Sequence, residues 1–376
     1  MSIDIYLIKR ILYKIQDELL PRPKPIPVNQ KEIAILPSEG QNISVETALN
    51  SRCSGDNDGN LFKFHWGMFD RTKKLSDEQI NKLISWAVVP RFTKYPIKVK
   101  PSGNILTFSI DASVSGIYRD WVMVESGMQQ QAISLLCAGL GVGHVLQSLG
   151  DEGHKLSKTE WGIIKMKLSA MKASYSGSFW TTAIPYGARP WKRGNLPDPS
   201  REGEKPLIPT LKAIKTSKKT GREAADESIS QLLWAARGRT PHFYKSQPWG
   251  MTIPTSGGKQ NISSVYLLSN YSLYKYVNWH KNRPTHSLET LGEINLHLWS
   301  KLTGLFQNFP TMVVLAKNED FAIALWEVGY QLLNLLVQAD ALNLDYKAVL
   351  LNEEQRRAFQ ETSIHRPVAV LLLKKK

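Results

Sequence analysis

The residues with the clearest capacity for chemistry are Thr255-Ser256-Gly257-Gly258-Lys259-Gln260-Asn261, directly ahead of the alternating run Ser263-Ser264-Val265-Tyr266-Leu267-Leu268. Two adjacent glycines let the backbone come close to a ligand and take positive φ, while Thr255, Ser256, Lys259 and Asn261 set hydroxyl, ammonium and amide groups beside it. The stretch reads as a small-molecule cradle leading into a strand; as structure alone it is a Gly-Gly turn before an edge strand. By side-chain chemistry Tyr118, Tyr274, Tyr276 and His286 are acid or base candidates, but packing in a core or hairpin explains each of them better. No catalytic residue is therefore assigned. The eight histidines show no HExxH and no other metal-ligand spacing, so no metal is expected. Gly139-Leu140-Gly141-Val142-Gly143 closes a helical pattern where a dinucleotide fingerprint must open one, which rejects a Rossmann site.

The chain around this stretch is long enough, at 376 residues, for about two ordinary domains or one large one, and its 42% hydrophobic residues can fill a sizeable core. Cys53 and Cys137 form neither a CxxC pair nor a disulfide framework, which predicts a reducing, cytoplasmic setting. A net charge of +15 with a pI near 9.6 raises nucleic acid as a partner. The positive residues are dispersed, densest at Lys212 to Arg222 and Lys374-Lys375-Lys376, and lack the interleaved aromatics of a base-stacking surface, so nucleic acid is not the expected ligand. Residues Met1 to Leu20 carry Ile5, Ile8, Ile11, Leu12, Ile15 and Leu19 at helical spacing, interrupted by Lys9, Arg10, Lys14, Asp17 and Glu18. That pattern predicts an amphipathic helix packed on its own domain, neither a spanning segment nor a signal peptide, and no transmembrane span is expected elsewhere.

Pro21 to Pro27 reads as an extended connector. Ser76-Asp77-Glu78 ahead of Ile80, Leu83, Ile84 and Ala87 predicts a capped amphipathic helix. Ile97 to Val99 and Ile105 to Ile110 read as strands about the turn Pro101-Ser102-Gly103-Asn104, and a long helix is expected from about Asp120 to Leu140. The second half then repeats this order. Glu227 to Ala236 matches Glu78 to Ala87 in its apolar positions, and Glu327-Val328-Gly329-Tyr330-Gln331 matches Glu125-Ser126-Gly127-Met128-Gln129. The second copy adds a hairpin-like stretch around Leu273-Tyr274-Lys275-Tyr276. These repeats predict an α+β pseudo-dimer: residues 1–45 as helix and connector, 46–190 as a first unit, 191–210 as a linker and 211–376 as a second unit. Each unit should hold an antiparallel-rich sheet flanked by helices, with Asp120 to Leu140 and Phe321 to Leu342 packed near an approximate two-fold axis.

The second unit resembles the flavin-dependent nitroreductases, and within them the SagB-type azoline dehydrogenases that oxidise thiazoline and oxazoline rings in peptide natural products. The resemblance rests on Lys215-Thr216-Ser217-Lys218-Lys219, Ser230 to Gly238, Thr255-Ser256-Gly257-Gly258, Ser272 to Tyr276 and His286 to Glu289, over about Lys212 to Leu373. The first unit is similar to the same fold more distantly, with Arg52-Cys53-Ser54 at the start of the phosphate motif, Tyr95 to Val99 as a strand, Tyr118-Arg119 with Glu125 to Val142 as the interface helix, and Ala183 to Pro190 as a last strand with a basic exit. Both arginines of the family's phosphate motif are lysines here, Lys215 and Lys219; the first unit has Pro90-Arg91-Phe92 in place of the cradle; and neither unit carries the Lys-Tyr pair of the peptide-azoline enzymes.

What the resemblance implies is FMN at the interface of the two units. Arg52, Ser54 and Arg189 would lie near the phosphate, and Thr255, Ser256, Gly257, Gly258, Lys259 and Asn261 near the ring, as one composite site. Lys215, Ser217 and Lys219 would belong to a second, degenerate site, so one flavin per chain at most is expected. Cys53, beside Arg52, is read as a small thiol without chemistry. The implied activity is FMN-dependent oxidation of an azoline ring or a related position in a small-molecule or peptide substrate, with partner proteins of a peptide-modifying complex and a further homo-oligomer left open. The alternative is a flavin-less scaffold that binds a peptide or partner protein.

Overall fold

The computed structural model describes residues 43–52, 69–70, 74–140, 142–148, 154–171, 194–240, 250–254, 262–280, 283–320 and 322–374. The amphipathic segment at the start, the proline connector and Cys53 lie outside them. In chain order the elements are α1 (Val45–Ser51), β1 (Phe69–Asp70), α2 (Asp77–Trp86), β2 (Lys98–Ser102), β3 (Ile105–Asp111), α3 (Gly116–Leu140), β4 (Val142–Ser148), β5 (His154–Lys155) and β6 (Glu160–Met171). There follow α4 (Leu207–Ala213), β7 (Ser217–Lys218), α5 (Asp226–Arg237), β8 (Ser263–Ser269), β9 (Ser272–His280), β10 (Arg283–Glu293), α6 (Leu296–Leu305), β11 (Thr311–Lys317), α7 (Ala322–Ala341), β12 (Tyr346–Leu350), α8 (Glu353–Gln360) and β13 (Pro367–Leu373).

Local chemistry accounts for most boundaries. Ser76 caps α2 by accepting from the Gln79 N–H, and the Gln79 side chain accepts in return from the Ser76 N–H. The β2–β3 turn puts Gly103 at a φ of 54°, the left-handed region that favours glycine. Helix α3 begins at Gly116, four residues before the expected Asp120, because Tyr118 packs edge-on against both Tyr95 and Trp121 and so holds the first turn in place. It ends at Leu140 and gives way at once to β4, so the glycine cluster does close a helix.

The architecture is α+β, two antiparallel sheets flanked by helices. Within it the two halves share a four-strand order: β2-β3-β6-β4 in the first and β8-β11-β13-β12 in the second, every neighbour antiparallel. In each half a long buried helix, α3 or α7, connects the second strand of that order to the fourth. The first sheet adds β1 and β5 on β6; the second adds the β9–β10 hairpin on β8 and the short β7 on β12. Strand β8, which follows the glycine stretch, lies between β9 and β11 and is buried along its whole length, so it is an internal strand and not the edge strand of the turn reading.

Two contacts relate the halves reciprocally. Helices α3 and α7 cross so closely that a Cβ on Gly127 would sit 2.3 Å from the Trp326 carbonyl oxygen, and one on Gly329 would sit 2.1 Å from that of Val124. Each glycine faces the residue three places before the other. At the other contact the Val45 N–H donates to the Lys205 carbonyl and the Leu207 N–H to the Ile43 carbonyl, which joins the starts of α1 and α4. One apolar core runs through both halves around α3 and α7; a second fills the outer face of the second sheet under α6 and α8. The stretch before α4 is tied down: Asn195 makes two hydrogen bonds with the Leu288 backbone, and the Leu196 N–H donates to the His286 carbonyl. Among the described residues no helix is long and apolar enough to cross a membrane.

Candidate functional site

Helices α3 and α7 are buried along most of their length, so the polar side chains buried in them need a reason. On α7, Glu327, Gln331, Asn334 and Gln338 recur at steps of four, three and four, which lines them along one face. Glu327, Gln331 and Asn334 hold the two described ends of the glycine stretch.

At the upstream end the anchor is Thr252. Its carbonyl accepts from Arg52 Nε at 3.0 Å, Gln131 Nε2 at 3.0 Å and Asn334 Nδ2 at 3.2 Å. Its N–H donates to the Gly238 carbonyl and its hydroxyl to the Trp234 carbonyl. Arg52 Nη2 also donates to the Met251 carbonyl at 2.8 Å, while Gln131 and Asn334 bond each other at 2.9 Å. Arg52 stands at the end of α1 and Gln131 on α3, both in the first half; Asn334 and Thr252 belong to the second. The segment that runs into Thr255 is thus fixed from both halves at once.

At the downstream end the anchor is Ser263, the first residue of β8. Its hydroxyl donates to Glu327 Oε2 at 2.6 Å and accepts from Arg237 Nη1 at 2.7 Å and from Gln331 Nε2 at 2.9 Å. Arg237 closes the network with an ion pair to Glu327 at 2.8 Å, with both side chains buried. Arg239, two residues on, is buried over the Trp279 ring at 4.6 Å, and burial, then the Arg237 charge, lowers its pKa to about 9. Arg52 exerts the same influence on the other side: His144, buried and bonded to Ser134 at 2.8 Å, is held down to about 3 by burial first and by the Arg52 charge second. Three guanidinium groups thus stand at the two described ends, with the Glu327 carboxylate balancing that of Arg237. Gln131 Oε1, Glu327 Oε1 and Gln331 Oε1 are buried acceptors without a hydrogen-bond partner among the described residues, which a ligand N–H or a water could relieve.

The corresponding place in the first half is filled from within. Glu125 on α3 accepts from the Phe92 and Thr93 N–H groups and the Thr93 hydroxyl, and pairs with Arg91 at 2.8 Å. A carboxylate of the chain itself thus takes the backbone donors of Phe92 and Thr93 and the Arg91 guanidinium.

Of the residues singled out in the sequence, Arg52 is buried in the lock on Thr252. Thr255, Ser256, Gly257, Gly258, Lys259, Asn261, Ser54 and Arg189 lie outside the described residues. Lys215, Ser217 and Lys219 lie on or beside β7, at the far edge of the second sheet from the β9–β10 hairpin. Both lysines are exposed, and Lys218 between them pairs with Asp340 at 2.9 Å. Tyr118 is half exposed. His286 is a buried link whose Nδ1 bonds the Tyr276 hydroxyl at 2.8 Å and whose Nε2 bonds Ser230 at 2.7 Å. Sequence reasoning missed Gln131, Arg237, Asn334 and the pairing role of Glu327. A signal for the last two was present, polar residues at helical spacing inside an apolar helix.

No protein-family model matches the chain, and no curated protein matches it in sequence. Solved structures do. One, from Anabaena variabilis, is 11% identical with a TM-score of 0.49 over 72% of this chain and 69% of that one. A second, from Thermotoga maritima, is 10% identical at 0.40 over 88% and 94%; a third, from Ralstonia eutropha, is 19% identical at 0.32 over 48% and 87%. All three are candidate nitroreductases. Likenesses at these values decide neither activity nor ligand, which rest on the chain's own residues.

Proposed function

We propose that the chain is an FMN-dependent oxidoreductase of the nitroreductase type, built from a duplicated α+β unit, with one composite site per chain at the segment between Thr252 and Ser263. The duplication is supported by the shared four-strand order and the two reciprocal contacts. The observation that carries the functional reading is the lock on Thr252, which takes donors from Arg52 and Gln131 of one half and Asn334 of the other. Fixing the two described ends of a glycine-rich segment on a rigid scaffold is the arrangement that keeps a ligand's contacts in place before it arrives.

When bound, FMN would supply hydride transfer from its own ring system. The chain's part is to bind and orient. Gly257 and Gly258 would allow close backbone approach, and Thr255, Ser256, Lys259 and Asn261 would offer hydroxyl, ammonium and amide contacts. Ser54 and Arg189 would meet a phosphate of roughly two negative charges, in a field to which Arg52 and Arg239 add from the locked ends. Arg52 itself gives two N–H groups to carbonyls, so its share is to hold the backbone and contribute charge. The resemblance to azoline dehydrogenases puts a heterocycle in a peptide-derived molecule first among substrates to assay.

The purified protein should be yellow or become so on addition of FMN, and Gly257→Val or Gly258→Val should abolish the colour while the circular dichroism spectrum stays unchanged. A wild-type protein that stays colourless at high micromolar FMN sinks the enzyme reading. The scaffold reading then stands, favoured by the exposed lysines of the second phosphate motif and by the pairing of Lys218 with Asp340.

A further inference from the structure

The outer faces of the two sheets differ. On the second, α6 and α8 cover an apolar layer. On the first, the register lines up Lys100, Thr107, Lys165 and Gln147 across β2, β3, β6 and β4, with Lys98 opposite Ser109 in one adjoining row and Ile105 opposite Lys167 in the other. Paired residues of antiparallel strands point to the same face, so Lys98, Lys100, Lys165 and Lys167 share one surface. Neighbouring strands about 4.8 Å apart and alternate residues about 7 Å apart place the four ammonium groups within reach of one short extended segment.

The acids on this face neutralise Lys100 and leave the other three lysines. Glu160 lies largely beneath, bonded to Lys100 at 2.6 Å and to Ser109, and these two contacts, followed by the Lys98 charge, hold its carboxyl below the usual range. Asp111, beside Glu160 in the register, is turned onto Ser113. Among the described residues Lys98, Lys165 and Lys167 have no carboxylate within ion-pair distance. Lysine on an edge strand commonly serves to prevent edge-to-edge association, which explains Lys98 and Lys100 on β2. It does not explain Lys165 and Lys167, which sit on β6 with strands paired on both sides.

We infer that this face is a docking surface for an acidic, extended peptide segment of a partner protein. Charge complementarity selects the sign of the partner. The rows named hold no Phe, Tyr or Trp, which favours peptide over single-stranded nucleic acid, since bases would find no large ring to stack on. The inference is independent of flavin binding.

Fluorescence anisotropy with a fluorescein-labelled glutamate decapeptide tests it, with a Gly-Ser decapeptide and a thymidine decanucleotide as comparison probes, at low and at moderate salt. The acidic peptide should bind and weaken with salt. K165Q/K167Q should weaken it by roughly threefold to thirtyfold, the loss of two exposed ion pairs, whereas K301Q/K347Q, elsewhere on the surface, should not. Thermal melts check that the variants remain folded. Failure of the glutamate peptide to bind, binding indifferent to K165Q/K167Q, or tighter binding of the oligonucleotide with the same dependence on Lys165 and Lys167 would each overturn the inference, the last in favour of nucleic acid.

Discussion

The crossing of α3 and α7 can be tested by giving each glycine a methyl group. A Cβ on Gly127 would lie 2.3 Å from the Trp326 carbonyl oxygen, and that oxygen must retreat about 1.1 Å to reach an ordinary 3.4 Å contact. On Gly329 the opposing oxygen is that of Val124 at 2.1 Å, and the retreat is about 1.3 Å. Both opposing groups are backbone, so no rotamer change relieves the clash and the helices must part. Overpacking of this kind costs about 2–3 kcal/mol, offset by about 1 kcal/mol because alanine forms helix better than glycine. Gly127→Ala and Gly329→Ala should therefore each destabilise by about 1–2 kcal/mol. One separation of the helices accommodates both methyl groups, so the double variant should be no worse than either single one, a coupling of about 2 kcal/mol. Gly304→Ala on α6, where a Cβ meets nothing within 4 Å, is the control and should be neutral or stabilising. Urea unfolding of the four proteins reads these values at constant m. Additive single effects, or singles as benign as the control, would refute the close crossing.

Three further outcomes follow from buried polar groups. Glu327→Ala should cost about 3–5 kcal/mol and Glu125→Ala distinctly less in the same assay, because the Arg237 side chain is 6% exposed while water reaches Arg91, at 33%. The fold holds the His286 pKa down to about 4 from its ordinary 6.5, chiefly by burial, so the stability it contributes is complete above 6.5 and is lost as the pH falls towards 4. The loss should approach roughly 3 kcal/mol, with His144 adding in the same direction, and His286→Gln should flatten stability against pH across that window. Gln131→Leu and Asn334→Leu remove donors from the Thr252 carbonyl, and should weaken FMN retention, read by equilibrium dialysis, more than they lower the urea midpoint.

Elements whose cause is local were legible in the sequence. Ser76-Asp77-Glu78 ahead of its apolar run places α2 to within a residue, the alternating run from Ser263 places β8, and apolar periodicity places both long helices. What resisted reading depends on partners far away in the chain. Arg52 stands two hundred residues from the Thr252 carbonyl it holds, and no spacing rule connects an arginine at the end of a short helix with a backbone oxygen in another unit. The basic residue beside a serine looks the same in sequence whether it holds a phosphate or a carbonyl. Asn334 and Glu327 were visible as polar breaks in an apolar helix, but their targets were not.

Symmetry and its loss together suggest how such a chain could hold one ligand and not two. The Glu125 and Glu327 positions correspond, and both glutamates pair with an arginine, Arg91 or Arg237. Counting onward from that match, Gln131 falls opposite Leu333 and Asn334 opposite Ala132, so the pair that locks Thr252 has no counterpart in the other direction. In the first half the Glu125 carboxylate takes the Phe92 and Thr93 N–H groups; in the second the partners of Glu327 among the described residues are side chains, Arg237 and Ser263. An internal carboxylate on one side, and on the other a glycine-bearing segment whose described ends are locked, give two corresponding places different occupants. Titration should accordingly saturate at one FMN per chain, and a second equivalent bound with similar affinity would mean that Glu125 does not close the first half.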